Sequence, residues 1–410
     1  MLSYRETAVS RWALRGTSAT AKRRLRAGIL VALSLASSAL AQAVEPGKVQ
    51  EVPTLTDEVM ESGTTPVRGN PASSMASWWP DDLILAPIPG RSPELGWKLA
   101  LVGGYFIDID KTQTDTPSSV VGAMGMTTEN GSYAYGVGGN LHFWEDRLRV
   151  ALAAGEINYN YRYWGVGNAA GDTGLSLDIT QKSPLYYGSV LYEVWDNVYT
   201  GLGFLAGKAD VRLRTERPLL ANLPDPSITL DMAAVQLPLK YDSRDQPYFP
   251  RHGALLSATA AFYRQALGSD FDTDIVSLSA NQYLAMADRD VLALRAYYRS
   301  AGREAPFFLL SSFGGKTDLR GYDVGRYRDK TMYALQAEYR WRVSNKWVLT
   351  GFTGVGEVAE SAGDFFSEYL PAAGVGARFL LSQKHLVSLS ADYSVGKNGS
   401  QFYFGVGEAF

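Results

Sequence analysis

Cysteine is absent from this chain, and histidine occurs only three times in 410 residues. Without cysteine there is no disulfide framework, no thiolate nucleophile and no thiolate metal site. His142, His252 and His385 lie far apart, and none is spaced with a serine or an acid as a hydrolase or a metal centre requires. The expectation is therefore a non-enzyme that carries no cofactor and no metal. Long helical periodicity is missing from about residue 81 onward, and so is any apolar run fit to be a spanning helix, which needs roughly 20 residues. What remains is rich in glycine (41), tyrosine (24) and tryptophan (9), a mixture of turn formers and strand formers.

The first 41 residues carry Arg5, Arg11, Arg15, Lys22, Arg23, Arg24 and Arg26 against the single acid Glu6. An apolar run over 27–41 follows and ends on the small-x-small site Ala39-Leu40-Ala41. This is the pattern of a secretory signal peptide, residues 1–41, with cleavage after Ala43 as the alternative. A twin-arginine address at Arg23-Arg24 is the weaker reading, because no long polar spacer precedes the apolar run. Removing seven basic residues and one acidic residue takes the formal charge from −3 to −9. An acidic chain offers no general field for nucleic acid. Residues 42–80 are polar, acidic and proline-bearing, without periodicity, and read as a flexible periplasmic lead too short for an ordinary domain.

From residue 81 to 410 the chain alternates with period two. Tyr333, Leu335, Ala337, Tyr339, Trp341 and Val343 share one face, and Ala334, Gln336, Glu338, Arg340 and Arg342 share the other. Leu292, Leu294, Ala296 and Tyr298 likewise oppose Arg295 and Arg299. Alternation alone does not separate a soluble sandwich from a membrane barrel. The turns separate them. Very short turns at 145–146, 196–197, 288–289, 344–346 and 383–384 interleave with longer loops at 165–173, 215–226, 302–330 and 358–367. Trp144, Trp195, Trp341 and Trp347 all flank short turns, as half of an aromatic girdle would. Fifteen strand starts trace back from Gln401 to Gly96, and 82–91 supplies the sixteenth that an even-stranded barrel needs. Pro87 and Pro89 make that first strand a poor one. The parity of Leu148, Val150 and Leu152 opposes that of Ile157, Tyr159, Tyr161 and Tyr163, which predicts a β-bulge near Gly155. The fold class is thus all-β, a 16-stranded antiparallel transmembrane barrel with long extracellular loops and short periplasmic turns.

Several motifs stand in order along this barrel. They are Ser92-Pro93-Glu94-Leu95-Gly96, the turn Asp242-Ser243-Arg244-Asp245 with Phe249-Pro250 and Gly253, the loop Leu319-Arg320-Gly321-Tyr322, Gly374-Val375-Gly376-Ala377-Arg378, and Asp392-Tyr393. In this order the chain resembles the BamA/TamA family of bacterial surface antigen barrels, over about 82–410. The resemblance implies a protein of the Gram-negative outer membrane that inserts or translocates proteins there. It also implies that the arginine loop folds into the lumen. The family's acid, in a Phe-x-Asp-x-Gly pattern, is replaced here by Gly354 within Phe352-Thr353-Gly354-Val355-Gly356. Arg320 then needs another carboxylate, and alternation offers Glu338 first and Glu357 second. Asp242, Arg244, Asp245 and Gly253 read as fixing a periplasmic turn.

Phe402, Phe404, Val406 and Phe410 share a parity suited to lipid, with Glu408 as the exception near the rim. They resemble the terminal targeting signal read by the outer-membrane assembly machinery. The expected partners are outer-membrane lipid, that machinery for the barrel's own insertion, and client proteins or a separate periplasmic partner. Most relatives carry POTRA domains, which 42–80 is too short to hold. The alternative function is a plugged or narrow channel, or a structural barrel, without assembly activity.

Overall fold

Period-two alternation closes on itself here into a single wall. The computed structural model describes residues 83–92, 95–107, 109, 119–214, 226–246, 249–286, 289–380 and 388–410. The assigned signal peptide and lead, 1–41 and 42–80, lie outside the described residues. The strands are β1 (Leu83–Ser92), β2 (Gly96–Ile107), β3 (Ser119–Thr128), β4 (Tyr133–Phe143), β5 (Leu148–Tyr163), β6 (Leu177–Trp195), β7 (Val198–Arg214), β8 (Ser227–Asp242) and β9 (Gly253–Tyr263). They continue as β10 (Thr273–Ala285), β11 (Val291–Ala301), β12 (Ser311–Ser312), β13 (Arg328–Asp329), β14 (Thr331–Trp341), β15 (Trp347–Ala359), β16 (Leu370–Leu380), β17 (Ser388–Gly396) and β18 (Gly399–Val406). Sixteen of them form one closed antiparallel barrel in sequence order, and β12 and β13 form a separate two-stranded ribbon inside the loop between β11 and β14. A six-residue helix, α1 (Asn168–Thr173), lies in the loop between β5 and β6.

The wall is dressed for lipid outside and for polar groups inside. Val137, Leu202 and Val375 each expose about 60% of their surface, as lipid-facing residues do once the bilayer is left out. Gln336, Glu338, Arg340, Arg378 and Asp392 are buried on the inner face. No described helix is long and apolar enough to cross a membrane, so the crossing is made by strands. Trp144, Trp195, Trp341 and Trp347 are exposed around one rim.

Two local expectations fail. No bulge occurs near Gly155, since β5 pairs with β4 and with β6 in unbroken register. Tyr159, Tyr161 and Tyr163 have odd parity because they face the lumen, where they are buried, while Leu152 faces lipid. The one register shift in that region lies between Glu193 and Trp195. The rims are also less uniform than expected. Beside the closing strands the extracellular connections are short, as at 397–398, whereas the periplasmic connection at 243–252 is long.

The first and last strands meet unequally. Pairing of β1 with β2 runs from Leu83↔Tyr105 to Ser92↔Gly96, while among the described residues β1 registers against β18 only at Arg91↔Phe404. Pro87 and Pro89 each remove a backbone N–H donor from β1.

Candidate functional site

The loop 302–330 turns back into the barrel, and glycines permit the reversal. Gly314, Gly315 and Gly321 all have positive φ, as does Leu319 at 55°. At the loop's base β12 pairs with β13; toward its tip Gly314 N–H donates to Asp318 O at 2.9 Å. Phe313, Leu319, Tyr322 and Tyr327 are buried together against Tyr297, Met332, Val358 and Leu370 of the wall. The loop is therefore held first by apolar burial, at roughly 25 cal/mol per Å² removed from water.

Arg320 sits at its end, fully buried. Nη2 donates to Glu338 Oε2 at 2.6 Å and Nη1 donates to Asp392 Oδ2 at 3.0 Å. The guanidinium lies 3.4 Å from the centroid of the Phe352 ring. Glu338 Oε1 accepts from Arg340 Nε at 2.9 Å. Arg378 donates to Asp392 and, through Nε, to Glu408 Oε2 at 2.9 Å. Three guanidiniums and three carboxylates thus alternate in one buried network. Each ion removed from water gains opposite charges with charge-assisted hydrogen bonds, which is the condition under which buried ions are tolerated. A second pair, Arg295 Nη2 to Asp318 Oδ1 at 3.1 Å, holds the loop to β11.

Sequence reasoning missed Asp392 as a partner of Arg320. Its signal was present, because Ser388, Ser390, Asp392 and Ser394 alternate as a polar inner face on β17, and all are buried. The second acid expected for Arg320, Glu357, is placed elsewhere. Its carboxylate accepts from the N–H groups of Phe366, Ser367 and Glu368, and so shapes the neighbouring loop instead. Gly354, at the missing acid's position, has a spatial role. A Cβ there would stand 2.8 Å from Leu319 Cδ1, and one at Gly356 would stand 2.9 Å from Leu319 Cδ2. These glycines make the wall thin where the loop docks.

The loop also grips the closing strands. Lys316 Nζ donates to Ser390 Oγ at 2.9 Å and to Gly407 O at 2.8 Å. Gly321 N–H donates to Tyr403 Oη at 3.0 Å, and Tyr322 Oη donates to Pro371 O at 2.6 Å.

The C-terminal segment needs correction. Phe402 is exposed on the lipid face, and Phe404 is partly exposed. The side chain of Val406 lies outside what is described. Strand pairing stops there, and Gly407 at φ 76° turns the chain inward. Glu408 therefore enters the lumen and accepts from Arg378, and Phe410 packs inside against Phe249, Tyr283, Val291 and Val348. Phe410 is not a lipid-facing residue. Arg340 Nη2 donates to Phe410 O at 2.6 Å, and the same guanidinium lies 5.6, 5.8 and 5.9 Å from the rings of Phe249, Tyr283 and Phe410.

The sequence profile of the Omp85 superfamily domain matches residues 126–410. The chain belongs to the Omp85 superfamily. The Omp85 barrel is similar in fold to BamA from Haemophilus ducreyi lacking POTRA domains 1–3, at 15% identity and TM-score 0.56, over 79% of this chain and 70% of that one. It is also similar to CdiB from Acinetobacter baumannii, at 12% identity and TM-score 0.52, over 79% of this chain and 59% of that one. CdiB from Escherichia coli gives 13% identity and TM-score 0.53, over 80% of this chain and 63% of that one. The chain thus spans less than two thirds of either CdiB. No curated protein matches the sequence. As an Omp85 barrel the protein resides in the Gram-negative outer membrane, in contact with its lipid.

Two further parts of this Omp85 barrel complete the site. In the periplasmic turn, Arg244 donates to both oxygens of Asp242, at 2.9 and 3.0 Å. Asp245 Oδ1 accepts from Arg251 N–H at 2.9 Å. Gly253 has φ 98°, and a Cβ there would overlap Ser243 O, so the turn closes only with glycine. The turn delivers Phe249 into the ring cluster beneath Arg340, a role that the turn motif alone does not show.

At the extracellular end, α1 caps the loop. Tyr327 Oη donates to Asp172 Oδ1 at 2.7 Å, and Lys397 Nζ donates to Asp172 Oδ2 and Glu368 Oε1, each at 2.7 Å. Burial pushes the Asp172 carboxyl up, but the bonds from Lys397 and Tyr327 outweigh it and hold it below its ordinary 3.8. The bonds to Asp172 and Glu368 raise the Lys397 ammonium above 10.5. A depressed carboxyl stabilises the cap above its unfolded pKa and stops doing so as pH falls through the folded one. A raised ammonium stabilises it below its unfolded pKa and stops as pH rises through the folded one. The cap is therefore expected to hold across the neutral range and to loosen in acid. Fluorescence anisotropy of a label on Ser400→Cys should stay flat from about pH 5 to 9 and fall below about pH 3. A signal that changed near neutrality, or that stayed flat to pH 2 in a folded barrel, would contradict this cap.

Proposed function

We propose that this Omp85 barrel inserts or translocates proteins at the outer membrane by opening between β1 and β18. One observation carries the reading: among the described residues the closing strands meet at the single register position Arg91↔Phe404, whereas every other neighbouring pair of barrel strands is laddered. A β-ladder contributes through its hydrogen bonds and side-chain pairs, so a seam with few of them is the cheapest place to part the wall. Bonds from Lys316 and Gly321 to Gly407 and Tyr403 support a division of labour. The arginine loop braces the β18 side from within and leaves β1 free to move.

Under this reading the barrel is not an enzyme. Client proteins pass along the seam, and a separate periplasmic protein delivers them. The last strand, with Phe402 and Phe404 toward lipid, serves the barrel's own insertion by the assembly machinery. A second reading, a plugged channel without assembly activity, is favoured by the buried loop filling the lumen. Liposomes containing the purified barrel separate the two. The assembly reading expects a client barrel to fold severalfold faster than in empty liposomes. Ion conductance without any acceleration would overturn it.

A further inference from the structure

Among the described residues, buried charge is balanced in the lower lumen and unbalanced above it. Arg320, Arg340 and Arg378 meet Glu338, Asp392 and Glu408, and Arg295 meets Asp318. Toward the extracellular end, Arg299 and Arg328 are buried just as completely, at 2% and 0% exposure. Both are clamped to one 3₁₀ turn, Phe307–Leu309, by neutral acceptors. Arg299 Nη1 donates to Leu309 O at 2.8 Å and to Ser311 Oγ at 3.3 Å, and Arg328 Nη1 donates to Phe307 O at 3.2 Å. Nε of Arg299 and both Nε and Nη2 of Arg328 have no acceptor, and neither residue forms an ion pair with any described residue.

The two guanidiniums repel one another, and the phenols of Tyr161, Tyr163 and Tyr159 lie within electrostatic reach of Arg328. A guanidinium does not shed its proton in a protein, so it cannot escape the cost of burial by becoming neutral. Two permanent cations buried against the same turn require a counter-charge, and no described residue supplies one.

We propose that Arg299 and Arg328 hold a small inorganic anion between them, a halide or a tetrahedral oxyanion. A site buried among Tyr161, Tyr163, Tyr263 and Phe307 inside the wall excludes a lipid headgroup tethered to acyl chains outside. The anion joins β11, which carries Arg299, to β13 at the base of the arginine loop, which carries Arg328. It thus locks that loop to the wall at the end opposite Arg320.

The test uses the purified full barrel in detergent at matched ionic strength, with sodium gluconate, bromide or phosphate. Gluconate serves as the bulky, weakly coordinating reference anion. The melting midpoint is expected to rise in bromide or in phosphate relative to gluconate, and whichever of the two acts identifies the anion. Above saturation, each tenfold increase of that anion lowers the unfolded-to-folded ratio about tenfold. The dependence should vanish in Arg328→Gln. Crystals of the wild-type barrel soaked in bromide or selenate give a reading that does not need the variant to fold, with an anomalous peak expected between the two guanidiniums. Equal midpoints in all three salts with no peak at that position would overturn the proposal, as would an anion dependence undiminished in Arg328→Gln.

Discussion

Arg320→Ala is expected to destabilise the barrel by on the order of 3–5 kcal/mol, because it strips a partner from two buried carboxylates at once. Glu338 keeps Arg340, and Asp392 keeps Arg378, whose Nη2 also lies 3.7 Å from Glu338 Oε2, but each carboxylate loses its charge-assisted bond to Arg320. The stacking of the guanidinium on Phe352 is lost as well. Arg320→Lys should restore only part of the effect. An ammonium can lie against one carboxylate but cannot span both while lying flat on a ring. On an unboiled gel, the temperature at which the compact folded band converts to the unfolded one should drop sharply for alanine and less for lysine. Conversion at the wild-type temperature in both variants would remove the anchoring role assigned to this loop.

How far these contacts can be read from sequence varies with the distance over which they form. The wall is legible because each strand reports its own facing. Buried Gln336, Glu338 and Arg340 alternate with exposed Leu335, Tyr339 and Trp341, and no distant residue is needed to see it. Glu338 is legible for the same reason, lying on the strand directly after the loop. Asp392 stands 72 residues from Arg320, and only closure of the barrel brings β17 to the loop tip. Strand parity shows that Asp392 faces inward but not what it meets. Glu357 shares that inward parity, yet backbone N–H groups of 366–368 take its oxygens.

Phe410 was misplaced because parity holds only while the strand lasts, and Gly407 ends it with a positive φ. The tyrosines of β5 oppose the parity of lipid-facing Leu152 because these large aromatic side chains face inward. This lumen is wide enough to bury them under Phe307 and Phe308. Gly354 shows the converse case. The sequence reveals that an acid is missing there, and the structure shows that the vacated volume receives Leu319.

Locking the seam is expected to abolish assembly activity while leaving the fold intact. Arg91 and Phe404 are register partners on β1 and β18, a position at which antiparallel Cα atoms lie within the reach of a disulfide. The chain has no cysteine, so a pair introduced there has no competing partner. Such a bond closes the barrel covalently at a position where the two strands register. The loop's bonds to Gly407 and Tyr403 are untouched, so the brace on β18 persists and only the movement of β1 is removed.

The decisive measurement is the rate at which a client barrel folds in liposomes containing Arg91→Cys/Phe404→Cys, oxidised and then reduced. The account predicts that the oxidised barrel accelerates folding no more than empty liposomes do, and that reduction restores the wild-type rate. Equal acceleration in both redox states, with the crosslink verified, would contradict the opening of this seam.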